Sequence, residues 1–282
     1  MIKFYGRRIS WLNDKKERSR KQLILFDMDG TLTEPRKEFN TNLLDTLKKL
    51  AEHAEIGIVS GSDTDYIYQQ MDYLLNKSEL RYRIHILPCN GTKYFKPPQT
   101  AEQRHELVYS VDMKSELGES KFNQLMACII RQHASGRLEE FPLTGHFVQY
   151  RGSMINWCPA GRNALDDDRK RFIQFDNSTS PSYRLGILNS LTSEMKKRDI
   201  NVTVKLGGDT SFDIYPVGWD KTYCLKHFDD HTCWFVGDRC DVGGNDKEIF
   251  DLLSRKERAF KTEDPDKTKL IINENILPLL LR

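Results

Sequence analysis

Residues 23–33 read Leu23-Ile24-Leu25-Phe26-Asp27-Met28-Asp29-Gly30-Thr31-Leu32-Thr33. Four apolar residues in a row, ending at an acid, predict a strand buried on both faces of a parallel sheet. An Asp-Gly turn and Pro35 follow. Thr41 to Ala54 then places Leu43, Leu44, Leu47, Leu50, Ala51 and Ala54 on one helical face. Ile56-Gly57-Ile58-Val59 is a second apolar strand ending at Ser60. Asp63 to Leu75 reads as a helix with Asp63 as its N-cap. Ile84 to Leu87 is a third strand, ending at Cys89-Asn90-Gly91. Strand and helix alternating in this way imply an open parallel sheet.

The pattern changes after Pro97-Pro98. Glu119 to His133 is an amphipathic helix. His146 to Arg151 and Ser153 to Trp157 flank Gly152 and read as strands. Asp166 to Phe175 and Tyr183 to Arg198 read as helices. Val202 to Leu206 and Ser211 to Tyr215 flank Gly207-Gly208-Asp209-Thr210, a hairpin signal. The first pattern resumes with a helix over Lys221 to Phe228, a strand over Thr232 to Val236 ending at Gly237-Asp238, and a helix from about Asn245. The layout is a split α/β core over residues 1–95 and 217–282, interrupted by an α+β insertion over 96–216 with an antiparallel sheet.

At 282 residues, 38% hydrophobic and 30% charged, the composition is that of a globular chain. No apolar run approaches the ~20 residues that span a bilayer, and the N-terminus lacks the apolar core of a signal peptide. The six cysteines include no Cys-x-x-Cys pair; they are expected to be reduced thiols of a cytoplasmic protein. A net charge of +2 gives no reason to expect nucleic acid as a partner. Charge is uneven, however: residues 1–21 hold eight Lys/Arg against two Asp/Glu, leaving 35 against 39 elsewhere. The expectation for this basic arm is a solvated terminus.

In open α/β sheets ligands bind beyond the carboxyl ends of the strands. Asp27, Asp29, Ser60 and Asp238 all fall there, and Lys221 opens the helix before the last of these strands. Asp27, Asp29 and Asp238 converging on one spot would repel one another unless a hard cation such as Mg²⁺ joined them. Asp27 is then placed to attack phosphorus and become an aspartyl-phosphate, and Asp29 to exchange a proton with the leaving and incoming oxygens. Lys221 would balance charge, and Ser60 would hydrogen-bond a phosphoryl oxygen. Asp-x-Asp-Gly alone is a common turn. The preceding strand, and Gly243-Gly244-Asn245-Asp246 after the late one, distinguish this occurrence; Asn245 and Asp246 are assigned to the shell behind the metal.

These features together resemble the haloacid dehalogenase (HAD) superfamily, and five longer segments resemble the eukaryotic-type phosphomannomutases. The segments are Phe26 to Arg36, Gly57 to Asp63, Tyr150 to Arg162, Gly207 to Lys221, and Phe235 to Asp238 with Gly243 to Phe250. The resemblance implies a HAD-like Rossmannoid core carrying an inserted cap. It implies interconversion of mannose 6-phosphate and mannose 1-phosphate, with a hexose 1,6-bisphosphate as intermediate and activator. It further implies substrate contacts from Arg36, from the cap arginines Arg151, Arg162 and Arg169, and from Ser211 and Asp213, and a homodimer formed through the cap. Each arginine has a plainer reading as a surface ion pair worth roughly 0–1 kcal/mol. The sequence departs from the family at Cys89, where an acid is usual, at Ser60, where a glycine is usual, and after Phe250. Two other functions share the motifs: a sugar-phosphate phosphatase, in which water discharges Asp27, and a non-catalytic binding protein on the same scaffold.

Overall fold

A computed structural model describes residues 20–136, 139 and 141–281. The basic arm, apart from Arg20 and Lys21, lies outside the described residues. Among the described residues eleven strands form two sheets. The first sheet has β1 (Lys21–Phe26) flanked by β2 (Glu55–Val59) and, through a crossover, by β10 (His231–Gly237). β3 (Ile84–Leu87) lies beyond β2 and β11 (Ala259–Lys261) beyond β10, all parallel. Alternation along β1 sends Ile24 and Phe26 to one face and Leu23 and Leu25 to the other, which is why the run is apolar throughout. Ile24 and Phe26 pack with Leu43, Leu47 and Leu50, on or beside α1 (Leu44–Ala51), and with Ile272 and Ile276 from the C-terminal segment. On the other face Leu23 and Leu25 meet Phe228, Ile249 and Leu253.

Two further strands, β4 (Lys93–Lys96) and β5 (Glu106–Ser110), extend this sheet antiparallel. The expected core–cap border at residue 95 therefore falls inside a hairpin whose connection contains Pro97-Pro98. The chain leaves the core sheet only after Ser110. β5 is solvent-exposed along its whole length, so it lacks the buried–exposed alternation that marks a strand in sequence.

The insertion folds as a four-stranded antiparallel sheet in the order β6 (Val148–Tyr150), β7 (Ile155–Trp157), β9 (Ser211–Pro216), β8 (Val202–Gly207). The expected hairpin is present, with Gly207 opposite Ser211. Trp157 and Phe212 stack at 4.7 Å between ring centres. They pack against Leu125 and Ile129, and against Leu191 and Met195, from the two long cap helices at Glu119–Ala134 and Tyr183–Lys197. The helix expected at Lys221 is a 3₁₀-helix, Lys221–His227, capped by Asp220, whose carboxylate accepts from Thr222 N–H at 2.9 Å. Among the described residues no helix is long and apolar enough to cross a membrane.

One buried histidine ties the folded core to pH. His105 sits with Nε2 3.0 Å from the Ile84 carbonyl, and burial lowers its pKa from 6.5 to about 4. The folded state holds it neutral where the unfolded chain is already protonated. Its contribution is thus complete above pH 6.5 and is lost as pH falls towards 4. At roughly 1.4 kcal/mol per pH unit the loss reaches about 3 kcal/mol. Urea midpoints measured from pH 7 to 4 should show this decline, and His105→Gln should flatten it. Parallel curves for the two proteins would show that another group is responsible.

Candidate active site

The turn after β1 decides the geometry. Met28 O accepts from Leu32 N–H at 2.9 Å and Thr33 N–H at 3.0 Å, and Gly30 N–H donates to Thr33 O at 2.7 Å. Gly30 has φ +82°, and a Cβ there would lie 2.4 Å from Asp238 Oδ2. The glycine of the motif therefore serves two ends: it makes the tight turn, and it lets the carboxylate after β10 approach the one after β1.

Asp27, at the end of β1, is almost fully buried, and Lys221 is wholly so. The ammonium of Lys221 pairs with Oδ1 of Asp27 and with Oδ1 of Asp246. The second oxygen of Asp246 accepts from Arg239 N–H at 3.0 Å. Burial, and next the Asp246 carboxylate, hold the Asp27 pKa well above the usual range, although Lys221 opposes them. Asp238 is raised for the same two leading reasons. Burial alone would lower Lys221, but Asp246 and Asp27 outweigh it and raise the ammonium pKa. Against the three carboxylates stand the Lys221 ammonium and the Arg239 guanidinium, 3.8 Å from Asp238, so negative charge remains in excess in a place where burial penalises charge.

That imbalance fits a divalent cation. Oxygens of Asp27, Asp238 and Asp246 lie within 4.8 Å of one another. Asp238 Oδ1 and Asn245 Oδ1 are buried without a hydrogen-bond partner among the described residues, whereas both oxygens of Asp246 are engaged. The residues with oxygen to offer a hard cation are Asp27, Asp238 and Asn245, with Asp246 as the fixed counter-charge to Lys221. Asp29, expected among the metal ligands, is not in this cluster. Its Oδ1 accepts from Arg36 N–H at 3.0 Å and from the Tyr66 hydroxyl at 3.2 Å. The turn that brings Gly30 against Asp238 carries the Asp29 carboxylate to Tyr66 instead. Burial raises the Asp29 pKa, offset partly by those two donors, as suits a group that holds and returns a proton.

These groups line a cavity of about 550 Å³. Ser60 lies on its wall, with Oγ accepting from Ser62 N–H at 3.1 Å. The Thr31 hydroxyl, also buried, has no hydrogen-bond partner among the described residues. The cap supplies the opposite wall, where Arg151, Arg162, Arg169, Ser211 and Asp213 all line the same space, as does Arg36 from the core. Arg162 Nη1 donates to Asn156 Oδ1 at 2.8 Å, and Asn156 in turn donates to Asp213 Oδ1 at 2.8 Å. Burial and the neighbouring Arg151 lower the Arg162 pKa, the mark of a cation lacking full compensation. Burial, followed by Arg36, does the same to Arg169. Arg151 also clamps cap to core, donating from Nη1 to Gly61 O at 2.8 Å. Asp63 caps its helix as expected, and its other oxygen accepts from Gln149 Nε2 of the cap at 2.7 Å. Arg36 is loosely held, with Nη1 3.6 Å from the exposed Asp166.

Sequence reasoning missed Tyr66 and Arg239. Tyr66 stands three residues after the N-cap Asp63, on the face of the first helical turn that looks back at the strand ends, and that spacing was available as a signal. Arg239, which binds Asp209 of the cap hairpin at 2.8 Å, is brought there by tertiary structure alone.

A split α/β core with its acids at the strand ends, covered by an inserted cap with a basic wall, defines a HAD-type phosphotransferase fold. Solved structures agree at the level of fold. The chain superposes on an N-terminally truncated, IMP-bound Plasmodium falciparum IMP-nucleotidase with a TM-score of 0.59 and 16% identity, covering 91% of this chain and 68% of that one. It also matches the C-terminal domain of a Candida albicans trehalose-6-phosphate phosphatase, with TM-score 0.52, 15% identity, and 96% and 95% coverage. In sequence, the family described as eukaryotic phosphomannomutase matches residues 43–278. A phosphomannomutase of Dendrobium officinale is 33% identical, over 87% of this chain and 90% of that protein. One of Saccharomyces cerevisiae is 34% identical, over 89% and 93%. The chain belongs to the eukaryotic phosphomannomutase family.

Proposed function

We propose that this protein is a phosphomannomutase, interconverting mannose 6-phosphate and mannose 1-phosphate through an aspartyl-phosphate at Asp27 and a hexose 1,6-bisphosphate. The observation that carries the reading is the cavity itself, lined from the core by Asp27, behind which the Lys221 ammonium is buried, and from the cap by three arginines. A mutase must fix one phosphate at Asp27 while a second is held at a distance. Planar guanidinium groups are good distal anchors.

With Asp27 phosphorylated, the free hydroxyl of a hexose monophosphate gives its proton to Asp29 and its oxygen displaces Asp27 from phosphorus, forming the 1,6-bisphosphate. The bisphosphate turns end for end, an oxygen of Asp27 attacks the other phosphorus in line as the bond to the sugar oxygen breaks, and Asp29 returns the proton to that oxygen, releasing the isomeric monophosphate and phospho-Asp27. Lys221 holds Asp27 ionised and oriented, and Ser60 donates to a phosphoryl oxygen. A bound Mg²⁺ would supply charge neutralisation of the phosphoryl oxygens, held by Asp27, Asp238 and Asn245. Arg162, Arg151 and Arg169 grip the distal phosphate, and Ser211 and Asp213 meet the sugar or its phosphate. Activation by hexose 1,6-bisphosphate, a homodimer through the cap and a cytoplasmic location belong to the same proposal.

Supplied with mannose 1-phosphate, Mg²⁺ and a trace of glucose 1,6-bisphosphate, the protein should yield mannose 6-phosphate in large excess over inorganic phosphate. Inorganic phosphate as the main product would convert the reading to a phosphatase.

A further inference from the structure

Gln70 takes no part in the chemistry above, yet its position is unusual. It lies near the end of the helix Thr64–Asp72, only 5% exposed, and lines the same cavity. Its Oε1 is buried and has no hydrogen-bond partner among the described residues. Leaving such an acceptor unpaired costs about 1–3 kcal/mol, and a native site that tolerates this cost has commonly set the group aside for a ligand.

The backbone holds the side chain in place. The Gln70 carbonyl accepts from Phe39 N–H at 2.8 Å, which ties it to the loop carrying Arg36. The next residue, Met71, has non-helical dihedrals of −107° and 15°, so the helix bends just beyond Gln70. One turn earlier on the same helix is Tyr66, whose hydroxyl holds Asp29. Residues four apart share a helical face about 6 Å apart, close to the width of a pyranose ring. Gln70 thus lies on the same helical face as the tyrosine that holds the proton-transferring carboxylate, and lines the same cavity as both.

We infer that Gln70 is a specificity-determining residue that hydrogen-bonds a non-reacting ring hydroxyl of the hexose phosphate. The inference rests on the sugar-phosphate reading above and deepens it. An amide suits this task better than a carboxylate or a lysine. The sugar must bind in two orientations, and the one hydroxyl that faces Gln70 donates in one of them and accepts in the other. A half-turn of the amide presents either its oxygen or its nitrogen, so one side chain serves both poses without placing a net charge beside Asp29.

The test compares kcat/KM of wild type and Gln70→Met on mannose 1-phosphate and on its 2-, 3- and 4-deoxy analogues, with Mg²⁺ and glucose 1,6-bisphosphate present. Methionine keeps the length and removes both polar atoms. The expected result is a loss of about 10-fold on mannose 1-phosphate, with one deoxy analogue turned over equally by the two proteins, because the partner hydroxyl is already gone. Unchanged kinetics, or the same fold-loss on every analogue, overturns the inference. If Gln70→Met does not fold, a crystal structure of Asp27→Asn soaked with mannose 1-phosphate decides: a ring hydroxyl in hydrogen-bonding reach of the Gln70 amide supports it, and none within ~4 Å overturns it. A wild type inert on mannose 1-phosphate sinks the mutase reading itself. An active wild type with a uniform Gln70→Met loss sinks only the role of Gln70.

Discussion

Asp27→Asn is expected to lower turnover by at least ~10⁴-fold while the protein stays folded. The size follows from nucleophile deletions in enzymes that form covalent intermediates, where the remaining binding groups rescue little. Retention of the fold follows from the electrostatics. Burial raises the Asp27 pKa, so the ionised carboxylate opposes folding, and a neutral amide of the same shape removes that opposition. Lys221 keeps Asp246 as a partner. Thermal melts should therefore place Asp27→Asn at or above wild type while the mutase assay falls to background. A variant that keeps full turnover would remove Asp27 from the chemistry.

Lys221→Met should have the opposite profile, losing stability and activity together. The ammonium is wholly buried between Asp27 and Asp246, and removing it leaves two carboxylates with no cation of the protein's own. Deleting one partner of a buried ion pair costs about 3–5 kcal/mol. Adding Asp246→Asn to Lys221→Met should recover much of that stability but none of the activity, because the charge is relieved while Asp27 still lacks its ammonium. Denaturant titrations of the two single variants and the double give the coupling directly. Simple additivity would mean that Lys221 acts through packing rather than charge.

The parts of this molecule legible in sequence are those whose burial is regular. β1, β2, β3 and β10 announce themselves as apolar runs because both faces are covered. The cap helix Glu119–Ala134 shows its buried stripe, and the Gly-Gly-Asp-Thr turn of the cap hairpin is local chemistry. The motif phrases placed Asp27, Lys221, Asp238, Arg151, Arg162, Arg169, Ser211 and Asp213 around one cavity, and the structure brings all of them to it, Lys221 through its pairing with Asp27.

Illegible parts have physical reasons. β5 is exposed along its length, so no alternation betrays it or its pairing with β4. The closing helix Pro265–Ile271 and the turn after it cover α1, using residues whose burial depends on contacts more than 200 positions away. Asp29 is expected with the metal ligands because it, Asp27 and Asp238 all fall at the strand ends; the tight turn at Gly30 carries its carboxylate to Tyr66 instead. The special standing of Asn245 and Gln70 lies in oxygens left without partners, and a missing partner is a property of tertiary structure.

Whether Asp27 carries phosphate and returns it to sugar can be measured in one experiment. Enzyme incubated with glucose 1,6-bisphosphate bearing radiolabelled phosphate, quenched in acid and digested, should yield one labelled peptide, with the label on Asp27. Unquenched enzyme chased with mannose 6-phosphate should release that label as hexose bisphosphate, with little inorganic phosphate. Label on another residue, or release chiefly as inorganic phosphate, would contradict the assignment of this protein as a mutase working through Asp27.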